Sequence, residues 1–155
     1  MCIRDRTTTL AYIGYDWNVN KGPNASGTGN TAGYYMGYFF ASIEGFSKFG
    51  SYIGNGSANG TFVYTGFRPA FVITKRTDSA DNWVILDSGR STYNARGDYL
   101  YIENSQAEDT HSTVVIDFLS NGFKCRGTAT NINASGGAYV YIAFAEAPFK
   151  YANAG

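Results

Sequence analysis

No stretch of this chain keeps an apolar stripe at helical spacing for more than a turn or two, and its apolar residues come instead in short runs cut by Gly, Asn and Ser. That pattern limits the fold to strands joined by tight turns. The clearest example is "TVVIDFLSNGFKCR", in which two strand-like runs meet at Asn121-Gly122. An Asn-Gly pair there predicts a two-residue type I′ turn, whose central residues both need positive φ. The runs predict strands at Tyr34–Ser42, Phe49–Ile53, Thr61–Tyr64, Ala70–Lys75 and Trp83–Asp87. Further strands are expected at Asp98–Glu103, Thr113–Leu119, Phe123–Arg126 and Tyr139–Glu146. Short strands at this spacing suggest an all-β sandwich or barrel; of the two, an antiparallel β-sandwich of jelly-roll type, laminin-G-like or concanavalin-like, is the expected fold.

Two local features refine the expectation. Pro69 lacks a backbone donor and fits the first position of its strand, with Arg68 extended before it. In "AYVYIAFAEA", Val140, Ile142 and Phe144 share one face while Tyr139, Tyr141, Ala143 and Ala145 share the other. Neither face is polar, so this strand is expected to be central and covered on both sides.

The composition fits a single core. The chain has 155 residues, 13 Tyr, 11 Phe and 19 Gly but only 3 Pro, as expected for aromatic strands linked by glycine turns. Twelve basic side chains balance twelve acidic ones, so no net field draws in nucleic acid or an anionic membrane. No apolar run approaches the roughly twenty residues of a membrane-spanning helix. From Asp16 to Gly33 the chain is rich in Asn, Gly, Ser and Thr and reads as a loop.

Candidate chemistry is sparse. "GTGNTAG" (Gly27–Gly33) has phosphate-loop glycines but leads into an aromatic run, not a helix N-terminus, and no cofactor is expected. Cys2, Cys125 and the lone His111 lack the clustering of a metal site. Cys125 alternates into a strand and reads as a small core hydrophobe, although a disulfide to Cys2 stays open. "EDTHS" gathers Glu108, Asp109, His111 and Ser112, but neighbouring strand residues face opposite ways, and a solvated loop is expected instead of a triad. No catalytic residue is therefore assigned. Three residues stand as ligand-binding candidates: Trp83 and Tyr93 as stacking surfaces for a sugar, and Arg90. Arg90 lies three residues from Asp87, a spacing that suits a turn-stabilising ion pair as readily as a ligand contact. Asn24, Asn55, Asn59 and Asn133 each begin an Asn-x-Ser/Thr sequon, which a chain rich in these residues acquires easily.

The chain also echoes itself. "TAGYYMGYFFASIEGFSKF" (Thr31–Phe49) resembles "SGGAYVYIAFAEAPFKY" (Ser135–Tyr151), aligning Phe40 with Phe144, as the ends of two successive repeats would. The ordered string "FSKFGSYIGNGSANGTFVYTGFRPAFVITKRTDSADNWVILDS", "IDFLSNGFKCR" and "NASGGAYVYIAFAEAPFKYA" resembles a module of uncharacterised function in tailed-phage virion proteins, especially marine ones. Such modules recur in tandem near the C-terminus of long tail or tail-fibre-like proteins, sometimes beside laminin-G-like domains. The resemblance implies one complete module over residues 46–152, with 7–45 closing a preceding copy. It implies a location in the virion tail and, as partners, other tail proteins, further copies of the module and host cell-surface glycans. Its pattern has an aliphatic residue where Cys125 stands, which marks a core position. The opening "MCIRDR" resembles a translated sequencing-adapter read-through, so residues 1–6 are expected to be foreign to a chain that is itself a fragment. The alternatives are a carbohydrate-binding module of a secreted or surface bacterial protein and, last, a glycan depolymerase.

Overall fold

The computed structural model describes residues 38–147. By contact the chain divides into Met1–Phe40 and Ala41–Gly155, and every strand described belongs to the second unit. The strands are β1 (Ser47–Ile53), β2 (Phe62–Tyr64), β3 (Pro69–Arg76), β4 (Val84–Asp87), β5 (Asp98–Tyr101), β6 (Asp109–Thr110), β7 (Ile116–Leu119), β8 (Gly122–Cys125) and β9 (Ala138–Ala145). A single helical turn, α1 (Thr130–Asn133), precedes β9. All pairings are antiparallel. One sheet runs β1-β9-β3-β4-β5-β6 and the other β2-β8-β7, so the domain is an antiparallel β-sandwich of six strands over three.

Strand periodicity places the core between the sheets. Tyr52, Tyr139, Ala143, Val72, Val84, Leu86 and Tyr99 lie buried on the inner face of the large sheet. Val63, Ile116, Phe118, Phe123 and Cys125 meet them from the small one. The Tyr52 ring stacks on Tyr139 at 4.9 Å and meets Phe123 edge-on at 5.9 Å, so aromatic packing joins the two layers. Its hydroxyl donates to the Ile132 carbonyl at 2.7 Å, which ties α1 to the same core. Cys125 is a buried free thiol, as its strand position implies; Cys2 lies outside the described residues.

Eight of the nine expected strands appear with shifted ends, and Pro69 occupies the first position of β3. Three expectations are corrected. In the described part of the expected strand Tyr34–Ser42, residues 38–42 are not in a strand. The chain instead makes a tight turn in which Ile43 and Ser47 exchange backbone hydrogen bonds of 2.9 Å, and β1 starts there. Of the echoing segments, 31–37 and 148–151 lie outside the described residues, as do the loop at 16–33 and its glycine run.

The second correction concerns the hairpin. Leu119 faces Gly122 across β7 and β8, so the two turn residues are Ser120 and Asn121, and Gly122 is already strand. Among the described glycines only Gly45, Gly56, Gly66 and Gly136 have positive φ. Gly122 answers a different need: a Cβ there would fall on the Val63 carbonyl oxygen and 3.1 Å from the Phe62 ring. The third is β9. It is central, between β1 and β3, but the three-stranded sheet covers only its Tyr139, Tyr141 and Ala143 side. Val140 is 38% exposed, and Ile142 and Phe144 are half-buried on the outer face.

Candidate functional site

The connection 88–97 leaves the end of β4 and returns into β5, and Asp87 shapes its start. One Asp87 oxygen accepts from the backbone N–H groups of Gly89 (2.9 Å) and Arg90 (2.8 Å), forming an Asx turn. The other accepts from the Arg90 guanidinium, whose Nε lies 2.6 Å from Glu108. Arg90 is thus held between two carboxylates and fastens the connection to the segment before β6.

Where the chain re-enters the sheet, Asp98 stands opposite Thr110 of β6. The Asp98 carboxylate accepts from the Ser91 hydroxyl at 2.7 Å and from the Thr110 hydroxyl at 2.5 Å. These two hydrogen bonds hold its pKa below the usual carboxylate range. Asp98 lines an open cleft of about 570 Å³ together with Ser91, Ala95, His111, Ser112 and Arg126. Arg126 follows β8 and places its Nε 3.3 Å from Asp117. The Nδ1 of His111 accepts from the Thr113 N–H at 3.2 Å, so a neutral ring carries its proton on Nε2. The wall is therefore rich in hydrogen-bonding groups, with a single carboxylate among its lining residues.

A family model matches residues 6–148, and its description is a domain of unknown function, DUF7483. The chain belongs to this family. Nothing among curated proteins or solved structures matches it. The bounds of DUF7483 take in the whole sandwich together with the segment that precedes it.

Within this DUF7483 domain the three candidate ligand residues fall apart in space. Arg90 and Tyr93 share the connection 88–97, which also carries the cleft residues Ser91 and Ala95. Tyr93 is 85% exposed, an aromatic face presented to solvent between the cleft residues Ser91 and Ala95 in the chain. Arg90 takes the ion-pair alternative. Trp83 lies at the opposite end of β4, half-buried, with its backbone N–H donating to Glu103. In "EDTHS" the imidazole partner is Thr113, and Asp109 accepts from the Tyr99 hydroxyl at 2.9 Å. His111 and Ser112 share the cleft wall without the hydrogen-bonded order of a triad.

Sequence reasoning did not single out Asp98, Ser91, Thr110 or Arg126, because they come from separate places in the chain: Thr110 meets Asp98 through the pairing of a two-residue strand, Ser91 from the connection before β5, and Arg126 lines the same cleft from the end of β8. It also passed over Arg96, which lies between cleft residues Ala95 and Gly97 but turns to the core. Arg96 is 1% exposed, with its guanidinium 4.8 Å over the Phe118 ring. Its Nε and Nη1 have no hydrogen-bond partner. Burial lowers its pKa, and Arg68 adds to the effect, while Glu146 and Asp87 oppose it. Those two carboxylates are paired elsewhere, with Arg68 and Arg90.

A smaller cleft, about 350 Å³, lies between the Ile43–Ser47 turn and Tyr64–Gly66, with Glu44 and Lys48 on its wall. Among the described residues no group of three or more His, Cys, Asp or Glu is placed to hold a metal ion. No helix there is long and apolar enough to cross a membrane.

Proposed function

We propose that this domain is a structural and adhesive module of a tailed-phage virion, part of a tail or tail-fibre-like protein, that contacts host-surface glycans through the Asp98 cleft. The virion half rests on the resemblance of its ordered motifs to tandem virion modules. The adhesive half rests on one observation: a nearly fully exposed Tyr93 in the same connection that supplies Ser91 and Ala95 to a cleft of carboxylate, hydroxyl and imidazole groups. An exposed aromatic ring with polar groups alongside suits the two surfaces of a pyranose, its C–H face and its hydroxyl edge.

The cleft lining carries one carboxylate, whereas glycoside hydrolysis by the usual routes needs two across the bond. That favours binding over cleavage. A carbohydrate-binding module of a secreted bacterial protein would use the same cleft. Tail and baseplate genes beside the coding sequence support the virion reading; export genes support the alternative.

The test is retention of bacterial cells and purified capsule polysaccharides on the immobilised chain. Retention that drops about tenfold in Tyr93→Ala, a change at an exposed position, supports the adhesive reading. No retention at all, or equal retention by the variant, removes it.

A further inference from the structure

We infer that the Asp98 cleft takes an uncharged sugar and discriminates against acidic ones such as uronates. The inference rests on the adhesive reading above and adds the class of sugar to it.

The argument is the balance of charge on the wall. Arg126 is the one fully cationic side chain lining the cleft, and its charge is already opposed by Asp117 at 3.3 Å. Asp98 has no such partner: among the described residues no Lys or Arg forms an ion pair with it. Its negative charge is held by hydroxyl groups alone. Just before Thr110 the sequence adds Asp109, bonded to a neutral tyrosine, and, one position earlier, Glu108. Glu108 shares Arg90 with Asp87, so two negative charges meet one positive there. Arg96 brings a positive charge to this end of the domain, but on the core side, over Phe118. Around the cleft, carboxylates thus outnumber arginines.

The hydrogen-bonding state of the wall says what it can accept. Ser91 and Thr110 donate their hydroxyl protons to Asp98, and Ser91 Oγ also accepts from the Asp98 N–H at 3.2 Å, so what each has left is a lone pair that can accept. The Asp98 carboxylate accepts only, with lone pairs beyond the two already used. Three acceptors thus converge on one spot, and their complement is a set of adjacent O–H donors. Neighbouring hydroxyls of a neutral pyranose supply that, with charge-assisted hydrogen bonds to the carboxylate. An ionised sugar acid brings acceptors and a like charge to the same place. At a separation of about 6 Å and an effective dielectric of about 40, the repulsion weakens binding about tenfold.

The experiment compares matched ligands. The full chain is titrated with neutral gluco-, galacto- and manno-oligosaccharides and with the same backbones oxidised at C6 to uronates. The expected result is measurable binding of at least one neutral series, about tenfold weaker binding of its uronate, and narrowing of that ratio in Asp98→Asn. Tyr93→Ala should weaken both members of a pair alike, and it provides the control should Asp98→Asn not fold. Equal or tighter binding of the uronate overturns the inference while leaving the adhesive reading standing. Binding of neither series overturns both when cells and polysaccharides are also not retained. If they are retained, only the choice of a neutral sugar is lost.

Discussion

Asn133 and Asn55, 78 positions apart, clasp each other through backbone and side chain: the Asn55 N–H donates to Asn133 Oδ1 at 2.9 Å, and Asn133 Nδ2 lies 3.2 Å from Asn55 Oδ1. The same Nδ2 donates to the carbonyls of Ser57 at 2.9 Å and Gly127 at 3.0 Å. Asn133 is fully buried, so one amide organises the "GNGSANG" loop from inside. That loop is wiring between β1 and β2, and the sequon at Asn133 is consumed by it.

The clasp predicts a large, pH-dependent effect of a small change. Asn133→Leu should lower stability by about 3 kcal/mol, since it leaves buried backbone groups without partners. Asn133→Asp should be worse at pH 7 than at pH 4. A carboxylate would face two carbonyl oxygens, whereas the protonated acid can still donate to one. Such a group has a raised folded pKa, so its stability is present at low pH and lost as pH rises through that value. Urea unfolding at the two pH values is the check; equal losses would mean the amide donors carry little.

At the β7–β8 hairpin, Gly122→Ala should cost more than Gly136→Ala. At Gly122 any Cβ meets the Val63 carbonyl, so the cost is steric and should exceed about 2 kcal/mol. Gly136 has φ +73° and nothing within 4 Å of a Cβ, so only backbone strain of about 1 kcal/mol applies. Midpoints from urea melts rank the two, and the reverse order would contradict the observed register.

The contrast at Gly122 shows where reading the sequence stops. Strands were legible because short alternating runs of Val, Ile, Tyr and Phe leave few other choices, and Pro69 marked a strand start by its missing donor. Asn121-Gly122 marked a hairpin but misplaced its turn by one residue, because what fixes Gly122 is β2 crossing beside it. The outer face of β9 looked like a second core face, but the three-stranded sheet packs on the other side, and among the described residues no second layer covers this one. Tyr93 and Arg90 were legible as residue types. Asp98 was not, since its meaning comes from Thr110 reaching it across a two-residue pairing and Ser91 from the connection before β5.

The core predicts alkaline lability. Burial pushes Cys125 up to about 12, drives Tyr52 well above its usual value, and raises Tyr99, Tyr139 and Tyr141. On unfolding these groups regain ordinary values of about 8.5 for the thiol and about 10 for the phenols. The unfolded chain therefore binds fewer protons than the folded one above about pH 9, and stability must fall with rising pH there. The melting temperature should hold from pH 7 to 8.5 and drop steeply by pH 11. A flat profile across that range would show that these hydroxyls reach solvent.

The same burial predicts that Cys125 is inert. With its thiol raised and 0% of the residue exposed, the thiolate that reacts with iodoacetamide should be negligible at pH 8. Alkylation of Cys125, followed by mass spectrometry of its peptide, should require urea. Rapid labelling in the native protein would place the small sheet away from the large one.

Arg96 supplies the last prediction, in which charge and packing separate. Its aliphatic stem and guanidinium fill space against Phe118, so Arg96→Ala should leave a cavity and lose about 2–4 kcal/mol. Its charge, however, is buried with Nε and Nη1 unbonded, and the neighbouring carboxylates of Asp87 and Glu146 answer to other arginines. Arg96→Met keeps most of the volume and removes the desolvated charge. It should therefore match the parent or gain up to about 2 kcal/mol, as replacement of a poorly compensated buried charge does elsewhere. Urea midpoints of the two variants decide it. If Met lowers stability as far as Ala does, the guanidinium is compensated in solution by Asp87 or Glu146, and the Asp87–Arg90 turn would then be part of that compensation.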